Sequence, residues 1–562
     1  MNFVKKYYAL GVVLAVFLWA LYEVASYRIK ESPIGTTTLR IGHWQLETGV
    51  RDGFVELAGE YQKLHPNVRI LQDAIPEGVY GTWMSTQFLG GTMSDMVEMG
   101  LGLPYQVILS YYNRYCVPIT PCVNLPNPYN KGTELEDTPL RDTYRDGMIT
   151  GYTYEMQEYM TVPLSRFATR VFYNKDLLRK LCGRDEPPKD FREFIGVCEQ
   201  IATKVNSQGQ PYTPIVGSKY HFGIWEWSLC NVLTYRLIEK ADFNRDGFVD
   251  NSELYVAVKA GLVSFHDRPI EGKFKMVRDI TRQCQAGFTG LSRDEGVFLF
   301  AQQRAVFMTT GTWDARSLQE QAKGKFEVAL MDFPMPSQDD PEYGDLVVGP
   351  RYENPGTGFS FAVVRTGQDP EVAQDFLLFL ASQKQNERLN KIIGWIPAIV
   401  GTETDPLLAG FKPCLDGVYG NFNVNLGGET WIKWLQLFSL YQVNQISYDD
   451  LVKEFEPFYK EHGLIDFQEQ QRDWRRSMTL NEQLLSGIRA QALFAATPED
   501  AAPAWVKYRT LTRDNQILPE LLHAQQMHMV EKGMSKDALG PYEYSQKARQ
   551  RIKADLAKRT GS

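Results

Sequence analysis

The chain has 562 residues, with 60 Lys and Arg against 68 Asp and Glu for a net charge of -8. That balance lacks the basic excess that binding to a phosphate backbone requires, which excludes nucleic acid as a partner. Seven cysteines leave at least one unpaired, and spacings such as Cys116 to Cys122 and Cys182 to Cys198 match no zinc pattern. Either pair could close a disulfide in an oxidising compartment, or all seven could be buried thiols.

At the N-terminus Lys5 and Lys6 precede an apolar run from Tyr7 to Tyr22, and the small residues Val24, Ala25 and Ser26 follow a lone Glu23. This is the layout of an export signal. The run, about sixteen residues, lies between a usual signal-peptide core of roughly 7 to 15 and the ~20 of a comfortable membrane span. Residues 1–31 are therefore read as a signal peptide or an N-terminal membrane anchor, placing the remainder in the periplasm or at the cell exterior. The remaining ~530 residues suffice for several domain volumes.

Leu39 to Trp44 alternates like a strand. Phe54, Leu57, Ala58, Tyr61 and Leu64 then recur at helical spacing, and Pro66 stops the run. Val68 to Leu71 reads as a second strand, Tyr80 to Leu89 as a helix and Asp95 to Met99 as a third strand. The alternation predicts a parallel α/β sheet. Ligands of such sheets sit beyond the carboxyl ends of the strands, which puts Trp44, Gln45, Glu47 and Glu98 beside an expected cleft.

Residues 242–253 carry the most specific local motif, a twelve-residue EF-hand calcium loop. Asp242, Asn244 and Asp246 stand at positions 1, 3 and 5, Gly247 permits the sharp turn, and Phe248 offers its carbonyl at position 7. Asp250 fits position 9, and Glu253 closes the set as a bidentate ligand. Leu229, Val232 and Leu233 before the loop, and Leu254, Ala257 and Val258 after it, are spaced like flanking helices. A single loop without a partner points to one structural Ca2+ and not to a sensor. Further on, Lys325 to Asp332 and Gly358 to Val364 read as strands and Glu371 to Ser382 as a helix. From about Trp431 the chain reads as mainly helical.

Several blocks resemble a known family in colinear order over residues 37–400. Tyr159 to Leu178 resembles the crossing strand of bacterial ABC-transporter extracellular solute-binding proteins, carbohydrate-binding group. Pro187 to Phe194 resembles that family's "pPkTwdEf" helix start. Phe300 to Asp314, ending Gly311-Thr-Trp-Asp314, is similar to its "F..GkaAM...GsWd" segment, and Gly394 to Ala398 to its "G.lPa" turn. Beyond about residue 440 the resemblance is silent. It implies a two-lobed periplasmic-binding-protein-like α/β fold of type II with a hinge, to which the residues from about Trp431 add an extended, mainly helical C-terminal region. Lobe 1 would hold residues 32–160 and 326–390, and lobe 2 residues 161–325 and 391–562. It further implies capture of a carbohydrate, an oligosaccharide, by lobe closure and delivery to ABC permease subunits, without catalysis.

A sugar presents hydroxyls around a C–H face, so its site needs aromatic platforms among polar side chains. Trp313, in the family turn, and Trp44, after the first strand, are the first candidates; Trp225, Trp227 and Trp395 come next. Gln45, Glu47, Glu98 and Asp314 are candidate hydroxyl partners. A glycoside hydrolase would need two flanking carboxylates, which Glu47, Glu98 and Asp314 could nominally supply. No HExxH, GxSxG, P-loop or Rossmann fingerprint accompanies them. The remaining rival is a membrane-anchored glycan receptor or adhesion module uncoupled from transport.

Overall fold

A computed structural model describes residues 35–532 except Glu47, Gln208, 354–355, Asp405 and Leu407, together with 14–19 and the isolated positions 547, 550–552 and 554. The N-terminal segment read as a signal or anchor otherwise lies outside the described residues. Among the described residues no helix is long and apolar enough to cross a membrane.

The chain forms two compact units, residues 1–167 with 355–409 and residues 168–354 with 410–562. In chain order the first unit contributes β1 (Thr37–His43), α1 (Thr48–Leu64), β2 (Val68–Ala74), α2 (Glu77–Gly90), β3 (Met96–Glu98), α3 (Tyr105–Tyr115), β4 (Cys116–Val117) and β5 (Val162–Arg166). The second unit follows with β6 (Thr169–Asn174), α4 (Lys175–Cys182), α5 (Phe191–Ala202), β7 (Thr213–Ile215), α6 (Lys219–Ser228), α7 (Asn251–Lys259), α8 (Arg268–Thr281), α9 (Arg293–Ala301), β8 (Ala305–Gly311), α10 (Thr312–Ala322) and β9 (Val328–Met331). The chain re-enters the first unit as β10 (Thr357–Val364), α11 (Pro370–Leu380), α12 (Gln383–Ile393) and β11 (Ile396–Pro397). It ends in the second unit as α13 (Gly428–Gln442), α14 (Tyr448–Leu493), α15 (Pro498–Thr512) and α16 (Leu518–Lys532).

The first unit's sheet has the order β11-β5-β10-β3-β1-β2, with β4 also on β10. It is not the all-parallel sheet that the alternation predicts. β2, β1 and β3 are parallel, but β10 enters antiparallel beside β3 and β5 pairs antiparallel with it. A local pattern cannot announce a strand that arrives from more than 250 residues away. Helix α1 buries Phe54, Leu57, Ala58 and Tyr61 of the expected stripe and Val50 besides, whereas Leu64, at the end of the helix, is 60% exposed.

The second unit's sheet runs β9-β6-β8-β7. Strand pairing moves the expected lobe boundaries. β9 pairs with β6 through Val328 and Asn174, so residues 326–354 belong to the second unit and not with lobe 1. β11 pairs with β5 through Ile396 and Arg166, so 161–167 and 391–409 belong to the first. Part of the C-terminal helical region is core: Trp434, Tyr441, Phe455, Tyr459 and Phe467 share one buried cluster with Phe265 and Phe274. The farther half of α14 and α15 has a small cluster of its own, Leu485, Ile488 and Leu511. All seven cysteines are free thiols.

Candidate ligand-binding site

In the first unit the carboxyl ends of the parallel neighbours β1 and β3 bring Trp44, Gln45 and Glu98 together. The Glu98 side chain is fully buried. Its carboxylate accepts from the Trp44 N–H at 3.3 Å and from Gln45 Nε2 at 2.9 Å, so it fastens the loop after β1. Tyr80 packs edge-on to Trp44 at 5.1 Å and donates to the Glu98 carbonyl at 2.7 Å. Burial, with the Glu98 charge second, raises the Tyr80 phenol well above its ordinary value, keeping it a donor. Trp83 crosses Gly42 so closely that a Cβ there would lie 2.7 Å from the indole. Glu47 lies outside the described residues. Trp395, expected near lobe 2, is buried in the first unit between Phe167 at 5.0 Å and Phe359 at 5.2 Å.

In the second unit Trp313 is half-buried and folds back over the end of β8; a Cβ on Gly311 would meet its ring at 2.3 Å. Asp314 accepts from Arg293 and from the Thr310 hydroxyl, so its carboxylate holds the start of α10. Trp225 is a core residue with no exposed surface, packed on Phe194 at 5.3 Å and Phe333 at 5.5 Å. Two residues on along α6, Trp227 points the other way and is 69% exposed.

Trp227 stands on the wall of a cavity of about 570 Å³ formed by the second unit alone. Trp431 of α13 stands on it too, as do Phe248 and Tyr419, whose rings stack at 5.7 Å and 11°. Asn421, Asn423 and Asn425 add amides. Lys273, buried, is held by Glu226 at 2.7 Å and lies over the Phe422 ring at 4.7 Å, which offsets the cost of burying its charge. Exposed aromatic faces among neutral amides suit a hydroxyl-rich ligand with an apolar face.

One wall of the cavity is the loop 242–253. It is preceded by a 3-10 helix, Cys230–Leu237, and one α turn, Ile238–Ala241, in place of the regular helix expected there; α7 follows it as expected. Gly247 has φ 84°, as the motif's turn requires. Glu253 Oε1 accepts from the N–H groups of Phe243 at 3.0 Å and Asn244 at 3.1 Å, and Oε2 from Asp250 N–H at 3.1 Å. Burial, then the nearby Asp250, pushes the Glu253 carboxyl up to about 7. One oxygen of Asp242 is buried without a hydrogen-bond partner. The donor chemistry and that orphaned oxygen suit Ca2+, whereas the side chains are not gathered: among the described residues no three His, Cys, Asp or Glu converge as a metal site. Asn421 Nδ2 donates to the Val249 carbonyl at 2.8 Å, joining the loop to the segment that bears Tyr419.

Residues 68–409, more than half of the chain, match the family described as bacterial extracellular solute-binding protein. The chain belongs to this family. No curated protein matches the chain. Among solved structures it is similar to RafE in complex with raffinose, at 16% identity and TM-score 0.51, covering 76% of this chain and 99% of that one. A chitin oligosaccharide binding protein is similar at 15% identity and TM-score 0.51, covering 78% and 100%. MalE of Xanthomonas citri gives 16%, TM-score 0.51, 78% and 99%. These likenesses are of fold.

Within this solute-binding protein the matched segment stops short of Tyr419, Asn421, Asn423, Asn425 and Trp431, all of them on the cavity wall and none singled out from sequence. The signal was present: Asn421-Phe-Asn-Val-Asn425 sets three amides at alternate positions just before a Trp-bearing helix.

Proposed function

We propose that this family member captures a carbohydrate outside the cytoplasmic membrane and hands it to an ABC permease, performing no chemistry on it. The observation that carries the reading is the second unit's cavity, where Trp227, Trp431 and the Phe248–Tyr419 stack stand among three asparagines. The sugars named for the similar structures, raffinose and chitin oligosaccharide, are the first ligands to try. Binding without hydrolysis fits the carboxylates: Glu98 and Asp314, which a hydrolase would need free, are committed to hydrogen bonds.

Titration calorimetry with raffinose and with chito-, xylo- and malto-oligosaccharides tests this. Trp227→Ala and Trp431→Ala should each weaken the bound sugar by more than about tenfold, as expected for aromatic anchors. Trp227, being exposed, should change the melting temperature little. Absence of heat with every sugar would end the reading. We further propose that the loop 242–253 binds one Ca2+ through Asp242, Asn244, Asp246, Asp250, Glu253 and the Phe248 carbonyl, an ion that relieves the buried Glu253 charge.

A further inference from the structure

A second cavity, of about 450 Å³, lies where the C-terminal helices meet the far side of the same loop, and nothing in the solute-binding match extends to those helices. Its floor is α14 and its opposite wall α16, with the loop and the first residues of α7 closing the third side. The Trp474 indole lines it, partly stacked with the His523 ring at 6.2 Å and 28°. Gln471 and Gln526, buried at 8% and 9% exposure, hold one another at 3.4 Å, and Gln471 also meets His523 Nδ1 at 2.6 Å. Gln470 accepts from the Ser252 hydroxyl at 2.7 Å. Each of these amides keeps further donor or acceptor capacity.

The chemistry of this wall is selective. It contains no Lys or Arg, so it offers nothing to neutralise an anion. Burial, then the nearby Arg475, lowers the His523 pKa, which favours the neutral imidazole. What remains is one large aromatic face edged by amides that both donate and accept and by two carboxylates, Asp250 and Asp514, that accept from hydroxyls, in a volume within the range of small-ligand sites. We infer that this cavity is a second saccharide site, with Trp474 as platform and Gln471, Gln526 and Gln470 as hydroxyl partners. It shares only the ligand class with the reading above. Asp250 and Asn251 line both cavities, so the loop is the partition between them.

The test is calorimetry of the full chain with raffinose, maltotriose, xylotriose and chitotriose. At least one should bind with two equivalents. Trp431→Ala should remove one equivalent and leave the other, while Trp474→Ala should weaken that other by more than about tenfold. Gln526→Leu serves as the second variant should Trp474→Ala melt far below the wild type. One equivalent for every sugar, lost in Trp431→Ala and kept in Trp474→Ala, overturns the second site and leaves the first. One equivalent lost in Trp474→Ala and kept in Trp431→Ala supports the second and sinks the first. No binding of any of the four overturns both.

Discussion

Glu98 and Arg170 show how buried charge is used here to hold backbone in place. Glu98 sits at the end of β3 and reaches across to the loop after β1, accepting from Trp44 and Gln45. Glu98→Leu would leave those two donors without their acceptor, at a cost of about 1–3 kcal/mol for a group left buried and unsatisfied. Amide hydrogen exchange over residues 44–46 should quicken by an order of magnitude or more; unchanged exchange would show that the loop is held by other contacts. Arg170 is 1% exposed and meets Asp332 at 2.8 Å, the Glu353 carboxylate at 2.9 Å and the Lys412 carbonyl at 2.7 Å. All four residues belong to the second unit, and three of them lie within three residues of a point where the chain passes between units. Arg170→Met should destabilise that unit by about 1–3 kcal/mol, since it leaves the Lys412 carbonyl without its donor and the Glu353 carboxylate with Arg351 as its remaining cation. Urea unfolding followed by tryptophan fluorescence measures it, and a loss below about 1 kcal/mol would mean that water replaces the guanidinium.

At the scale of elements the loop 242–253 makes the sharpest prediction. Glu253 caps α7, its side chain accepting from the N-cap Asp250 while Asp250 accepts from Glu253 N–H, a reciprocal capping box. Glu253→Gln removes the buried charge but keeps one acceptor oxygen for the N–H groups of Phe243, Asn244 and Asp250, which both carboxylate oxygens now serve. In chelator its melting temperature should therefore stay near that of the wild type, relief of the charge offsetting the lost acceptor. With calcium at about 100 times its dissociation constant, the wild type should gain about 2.7 kcal/mol and the variant much less. Equal melting of the wild type with calcium and with chelator would dispose of the ion. The motif itself was readable from residue types at fixed offsets. Its setting was not: Phe248 packs on Tyr419, about 170 residues away in the chain, and a 3-10 helix leads into the loop where apolar spacing indicates a regular one.

Over the whole molecule each unit carries one buried histidine, and both point to the same response to acid. Burial lowers the pKa of His43 in the first unit and of His221 in the second to about 4. The unfolded chain takes up these protons near pH 6.5, before the folded protein does, so stability present above that value is lost as the pH falls towards 4. Each histidine contributes at most about 3 kcal/mol to the fall. The Glu253 carboxyl, raised to about 7, acts in the opposite sense over the same range and offsets part of this loss; melting temperatures should still drop between pH 6.5 and 4.5, and His43→Gln or His221→Asn should flatten the drop. An equal drop in the double variant would assign it to carboxylates.

Much of this was determined by the sequence alone. Apolar spacing located β1, α1, β2, α2 and β10 to within a few residues, because each element buries one face and its periodicity records that face locally. Colinear motifs indicated the family, and the loop's donors are written in order. Only tertiary structure decided which strands pair, and hence that 326–354 and 391–409 fall in units opposite to those expected. It alone separated Trp225, in the core, from Trp227, on the cavity wall, although both lie on one short helix. A tryptophan is large and apolar in either place, and what distinguishes platform from core is which face of the helix the rest of the chain covers.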